Sequence, residues 1–205
     1  PLACLVQDAD KKVLTEMNDL IEAGACGFSS GNKGIQDDGF MLRGMLYSSN
    51  ISQRIFLSPV NTGINANGQM NEGPANVQVG LKGMPAIGEE IEVQKIITLA
   101  GYTGKQVHVS CISSLKSVEL IRNAKKNSIP ITADVSIHHL CFTHDNLLNF
   151  DTYYKLNPPL RSEEDRLALK EGILDGTIDC IVTDHNPQDN DSKICEFEIA
   201  EFGAT

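Results

Sequence analysis

The order of apolar runs along this chain predicts an α/β fold, a TIM-like (β/α)8 barrel present in part. Three observations carry that prediction. Strand-like and helix-like stretches alternate through the sequence, which calls for a parallel sheet with helices packed outside it. The phosphate turn of a dinucleotide-binding sheet is missing: Gly-x-Gly-x-x-Gly does not occur, and the glycines from Gly27 to Gly34 have the wrong spacing and no Walker lysine. Residues able to do chemistry gather just after the apolar runs, where a barrel keeps its active site.

The elements follow in order. Val13 to Ala23 has apolar residues at helical spacing, and Gly24 ends it as a C-terminal cap. Ala25-Cys26-Gly27-Phe28 reads as a short buried strand. Residues 39–48 read as a helix, and Ile55-Phe56-Leu57 as a strand stopped by Pro59. Residues 61–86 are rich in Gly and Asn with little periodicity, a connection long enough to be functional or disordered. Glu89 to Ala100 is a helix, Gln106 to Cys111 a strand, and Ser114 to Asn127 a helix with Lys125 and Lys126 in its last turn, where the dipole favours cations. Ile129 to Ile137 is a strand. Ser162 caps a helix reaching Asp175, with Asp165 three residues on. Asp179 to Thr183 is the last strand.

The 205 residues suffice for one domain, taken as 1–205. Hydrophobic residues make up 41% and charged residues 21%, and the net charge is −10 at pH 7, so phosphate-bearing partners are repelled. Nucleic acid and membrane are therefore excluded as expected partners. No apolar stretch approaches the ~20 residues of a membrane span. The first residues carry no signal peptide, Pro1 stands where an initiator Met would, and Glu201 to Thr205 brings no closing element, so the barrel is expected to be cut at both ends. The six cysteines form no Cys-x-x-Cys pair. Cys26, Cys111 and Cys180 sit in apolar runs and are expected to be reduced and buried in a cytoplasmic protein, a zinc-thiolate site being the alternative.

Ser29-Ser30, Ser58, His108 with Ser110, His138-His139 and Thr183-Asp184-His185 follow or lie within successive strands. Imidazole and carboxylate converging from different strands suggest a catalytic metal site. Each histidine taken singly reads more simply as one that hydrogen-bonds a neighbour.

Several blocks together resemble the dihydroorotase group of cyclic amidohydrolases. They are Met70-Asn71-Glu72-Gly73, residues 81–86, His108-Val109-Ser110, His138-His139-Leu140, the run from Lys155 to Arg161, and Thr183-Asp184-His185-Asn186-Pro187. The resemblance spans nearly the whole chain. It implies a metal-dependent amidohydrolase barrel of de novo pyrimidine biosynthesis, in which zinc-activated water opens dihydroorotate or carbamoyl aspartate closes. It implies metal binding by His108 and Asp184, general-base duty for Asp184, a pyrimidine-ring contact by Asn157, and residues 61–86 bordering the mouth.

The departures are internal as well as terminal. The family's first-strand His-x-His is absent, so the chain is expected to hold roughly the fourth to eighth strands. Ser30 stands where the family carries a metal-bridging carboxylate or modified lysine, Ser58 where it carries a histidine, and Gln188 where a histidine often contacts the substrate carboxylate. These changes, with Ile137 before the paired histidines where active relatives more often have proline, resemble the degenerate branch that serves as structural partner of aspartate transcarbamoylase. Three readings stand: a dihydroorotase, a catalytically impaired homologue in that scaffold role, and a hydantoinase-type cyclic amidase. Homo-oligomerisation is expected, and open sheet edges call for a partner chain, flanking segments or domain exchange to cover them.

Overall fold

The computed structural model describes residues 1–8 and 12–203. Ala204 and Thr205, at the end of the C-terminal stretch read above, lie outside the described residues. The elements are β1 (Leu2–Cys4), β2 (Val6–Asp8), β3 (Val13–Leu14), α1 (Met17–Glu22), β4 (Gly27–Ser29), α2 (Asp38–Tyr47), β5 (Arg54–Leu57), β6 (Met70–Asn71), α3 (Pro74–Val79), β7 (Gly83–Met84) and α4 (Ile87–Thr103). They continue with β8 (Val107–Val109), α5 (Leu115–Lys126), β9 (Ile131–Ser136), α6 (Ile137–Cys141), α7 (Glu163–Leu174), β10 (Cys180–Val182) and α8 (Asn190–Lys193).

Six strands form one sheet in the order β1-β4-β5-β8-β9-β10, and every pairing in it is parallel. That is the expected partial barrel with one strand more than the expected five. Leu2–Cys4 is too short and too half-exposed to show a period in sequence, yet it pairs Ala3 with Phe28 in register.

Alternation along each strand sorts side chains onto two faces. Ile55, Leu57, Val107, Val109, Ala133 and Val135 are buried among the helices, with Val93, Ile96, Val118 and Ile121 of α4 and α5 opposite them. Truncating one of the fully buried isoleucines to alanine costs about 2–5 kcal/mol. The intervening residues Phe56, His108 and Asp134 face the other way, into the barrel. Phe56 lies against the His108 ring, centroids 4.9 Å apart. Gly27 makes room for it, since a Cβ there would meet Phe56 at 2.8 Å and Leu2 at 2.9 Å.

The Ser162 cap read from sequence is present, and Ser114 is a further one. Ser114 accepts from the Ser117 N–H, and Ser162 and Asp165 cap α7 reciprocally, each side-chain oxygen accepting the other's backbone N–H at 3.2 Å. Two expectations need correction. Val13 and Leu14 pair with β2 as a strand, and the helix is confined to Met17–Glu22, because Thr15 turns back to bond the Leu5 carbonyl. Residues 61–86 are not featureless: β6 and β7 pair, α3 starts at Pro74, and Met70, Ala75 and Leu81 join Leu147, Leu156, Leu160 and Phe197 in a second apolar cluster.

The cysteine reading is also corrected. Cys26 and Cys180 are exposed and Cys111 is half-buried, all with free thiols. An apolar run shows that a strand is near the core, but not which face a given residue takes.

Candidate active site

A cavity of about 260 Å³ opens at the C-terminal ends of the strands, as a barrel requires. Ser29 reaches it from the end of β4, Ser58 from just after β5, Ser110 and Cys111 from just after β8, and Asp184 from just after β10. Asn65, from the segment expected to border the mouth, lines it too. A second cavity of about 610 Å³ shares Asn32, Asn157 and Asp184 with the first and adds His185 and Gln188.

Of the residues expected from sequence, Asp184 and Asn157 meet at this mouth. Among the described residues neither side chain is committed to a hydrogen bond with the rest of the chain, which leaves both available to a ligand. Asp184 sits at φ 48°, a left-handed conformation that side chains other than Gly, Asn and Asp seldom adopt. Burial pushes its carboxyl above the ordinary range. Nearby His138 opposes that rise and Asp134 adds to it. The group is therefore disposed to hold a proton longer than a solvated aspartate.

His108 does not join them at the mouth. It is buried in β8 with both ring nitrogens occupied: Nδ1 lies 2.8 Å from Thr132 Oγ1, and Nε2 lies 2.7 Å from Asp134 Oδ2. The residue that β8 presents to the cavity beside Asp184 is Cys111, at φ 55°. The structure thus places Cys111 and Asp184 at the mouth and pairs His108 with Asp134 behind them. Burial pushes the Cys111 thiol up strongly, and the negative charges of Asp134 and Asp184 reinforce the shift, so it stays protonated.

Gln188 holds chain rather than cavity. Its amide nitrogen donates to Phe202 O at 3.0 Å and to Asn186 Oδ1 at 3.3 Å, which commits both N–H groups and leaves only an acceptor for a ligand. Ser30 and Ser58 tie two strand ends together: the Ser58 N–H donates to Ser30 Oγ at 3.2 Å, and Ser58 Oγ donates to the Gly31 carbonyl at 2.7 Å.

The mouth is braced by a buried polar network. Arg161, 3% exposed, donates through Nη1 to Asn71 Oδ1 and the Met84 carbonyl, both at 2.8 Å, and through Nε to Ser113 Oγ at 3.0 Å. Glu89 accepts from the N–H groups of Ser113 and Ser114 at 2.8 and 3.1 Å, from the Ser117 hydroxyl at 2.6 Å and from the Ser113 hydroxyl. The Arg161 guanidinium lies 3.6 Å from the Glu89 carboxylate. His139 fixes the intervening loop, its Nε2 standing 3.1 and 3.2 Å from the carbonyls of Pro158 and Pro159. Burial pushes its pKa down to about 4, so the ring is neutral and Nε2 carries the donated proton.

The dihydro-orotase-like family model matches residues 1–117, more than half of the chain. The chain belongs to the dihydroorotase family. Dihydroorotase family relatives include the dihydroorotase of Pelotomaculum thermopropionicum, 39% identical over 203 residues, and that of Syntrophus aciditrophicus, 38% identical over 203 residues. Each match takes in 99% of this chain and 48% of the relative, so the chain spans about half the length of the curated relatives it matches. Among solved structures, the L-hydantoinase (dihydropyrimidinase) of Arthrobacter aurescens superposes with a TM-score of 0.78 at 22% identity, over 98% of this chain and 47% of that one. A D-hydantoinase (dihydropyrimidinase) from Thermus sp. gives 0.78 at 19% identity, over 92% and 44%. These two bear on fold alone and agree with a partial amidohydrolase barrel.

The residue missed in sequence with the clearest available signal is Asp134. Thr132 and Asp134 alternate with apolar Ile131, Ala133 and Val135, which puts both polar groups on one strand face. Cys111 left no such signal, because a cysteine in an apolar run reads as core.

Proposed function

We propose that this chain is a dihydroorotase-family protein of pyrimidine biosynthesis that keeps a ligand-sized mouth but is impaired in metal-assisted hydrolysis, and that it serves as a structural partner of aspartate transcarbamoylase. The observation that carries this reading is the set of groups the strand ends bring to the first cavity: Ser29, Ser58, Ser110, Cys111 and Asp184, with no imidazole, while the cavity's other carboxylate, Glu89, is committed to Ser113, Ser114 and Ser117. A catalytic zinc takes three protein ligands of the imidazole, thiolate or carboxylate kind. Serine hydroxyls are poor substitutes, which leaves Cys111 and Asp184, one ligand short of that set. These residues do not fit the family's zinc at the mouth.

The groups that remain suit a small compound with amide or ureido groups. The Asn157 amide offers both a donor and an acceptor, and the Asp184 carboxyl, its pKa raised by burial, faces the same space. Dihydroorotate, a cyclic amide that carries a carboxylate, and carbamoyl aspartate, its open-chain ureido dicarboxylate, both present such groups. The run from Ala133 to Leu140, with Ile137 before the paired histidines, supports the scaffold branch.

One observation favours a second reading, a working cyclic amidase acting on dihydroorotate or a hydantoin. Asp184 stands free at the mouth with a raised pKa, as a general acid or base would. Assays with dihydroorotate, carbamoyl aspartate and hydantoin, with zinc supplied, separate the two. The proposal expects turnover at the buffer background and co-elution with aspartate transcarbamoylase on size exclusion. Turnover above background that Asp184→Asn abolishes would establish the second reading instead.

A further inference from the structure

Inside the sheet, away from the mouth cavity, three potential ligand atoms converge. His108, Asp134 and Cys180 each place one donor atom within 4.8 Å of the other two. The strand register brings them together: β8 and β9 pair His108 with Thr132, and β9 and β10 pair Asp134 with Cys180. We infer that these three residues bind a divalent cation of the zinc class, at a place distinct from the mouth and independent of the function proposed above.

Two of the three ligands are already oriented from behind. His108 Nδ1 is held by Thr132 Oγ1 at 2.8 Å, and that hydroxyl has its own acceptor in the Val107 carbonyl at 3.4 Å. Thr132 can therefore accept from Nδ1–H and leave the Nε2 lone pair to a metal. Asp134 Oδ1 is held by the Cys111 N–H at 2.6 Å, which turns Oδ2 toward His108. Such outer contacts fix the tautomer and aim of metal ligands. His108 and Asp134 are both buried, whereas Cys180 is exposed and gives solvent a route to the group.

The donor set decides the class of cation. Nitrogen, sulfur and one carboxylate oxygen suit zinc, cobalt or cadmium, whereas magnesium and calcium need oxygen donors throughout. Three protein ligands leave a fourth position for water. The cation takes the place of the 2.7 Å hydrogen bond between Nε2 and Oδ2. Ligand atoms at ~2.0–2.1 Å from a tetrahedral ion stand roughly 3.3 Å apart, so the two atoms separate by less than about 1 Å. The protons balance: the imidazole proton passes from Nε2 to Nδ1, the Cys180 thiol gives one proton to solvent, and the thiolate bonds the metal.

Cobalt(II) tests the site because a thiolate ligand adds a charge-transfer band to its visible spectrum. The full chain, stripped of metal, is titrated with cobalt chloride while absorbance and proton release are followed. One cobalt per chain, a thiolate band and one proton released are expected. Cys180→Ser should abolish the band while circular dichroism stays native. Thr132→Val should weaken binding about 10–100-fold, and Cys111→Ser should change neither band nor stoichiometry. Absence of the band, its survival in Cys180→Ser, or its loss in Cys111→Ser overturns the assignment.

Discussion

The two motifs that place the chain in its family do opposite kinds of work. The Lys155–Arg161 run is largely interior: Lys155 is 1% exposed and Arg161 3%. Lys155 Nζ donates to the carbonyls of Phe197, Glu198 and Ala200 at 2.7, 3.1 and 2.6 Å, and lies over the rings of Phe197 and Phe202. Arg161 joins the 61–86 segment to the starts of α4 and α5. The Thr183–Pro187 run has no buried residue, and its Asp184 side chain faces the cavity without a hydrogen-bond partner among the described residues. A motif of charged and polar residues can thus mark architecture in one segment and ligand-facing chemistry in the next. Spacing alone does not separate them, because both look like conserved-type polar punctuation after apolar runs.

Substitutions should split along the same line. The largest effect is expected from Arg161→Ala, which strands Glu89 and the Asn71 and Met84 acceptors in the interior. Removing one partner of a buried pair costs about 3–5 kcal/mol, read as a lower urea midpoint at unchanged m-value. Arg161→Lys should recover only part of that loss, since an ammonium cannot reproduce the forked geometry. An Arg161→Ala midpoint equal to wild type would show that the network does not brace the mouth.

His139 should make stability depend on pH. Its folded pKa of about 4 lies below the ordinary value of 6.5, so the unfolded chain binds the extra proton first. Stability is then full above pH 6.5 and falls as pH drops toward 4, by roughly 3 kcal/mol for one such group. His139→Gln should flatten that part of the profile; an unchanged slope would assign the loss elsewhere. Lys155→Met should cost about 2–3 kcal/mol through its charged hydrogen bonds, with proteolytic nicking appearing within residues 194–203.

Asp184→Asn belongs to the other side of the comparison. Burial raises the Asp184 pKa, so its ionised form opposes folding, and stability declines as pH rises through the raised value. The asparagine variant should lose that decline and be at least as stable as wild type at neutral pH. A destabilised variant would mean that the carboxylate is a structural anchor. Gln188→Ala, at a half-buried rim position, should stay within about 0.5 kcal/mol.

Local signals made much of the fold legible. Ser114 and Ser162 cap the helices that their spacing predicts, and the strands at Ile55, Val107 and Ile131 follow their apolar runs. Leu2–Cys4 was hidden because three half-exposed residues carry no period, and its strand character comes from pairing with β4. Asp184 and Asn157, singled out through the family motif, both line the cavity. The Glu89–Arg161 contact was not, since it joins residues 72 positions apart with no pattern between them. The place of His108 behind the mouth was not legible, because a strand ending shows that a residue is near the mouth, while the turn of the backbone at Cys111 decides which residue lines it.

The central claim is that the strand ends of this chain supply a binding mouth without a hydrolytic metal centre. The most direct test is dihydroorotate turnover by the full-length protein with saturating zinc, beside its Asp184→Asn variant. The account predicts background rates for both, with dihydroorotate still raising the melting temperature of the wild type. Zinc-dependent turnover that disappears in Asp184→Asn would contradict it.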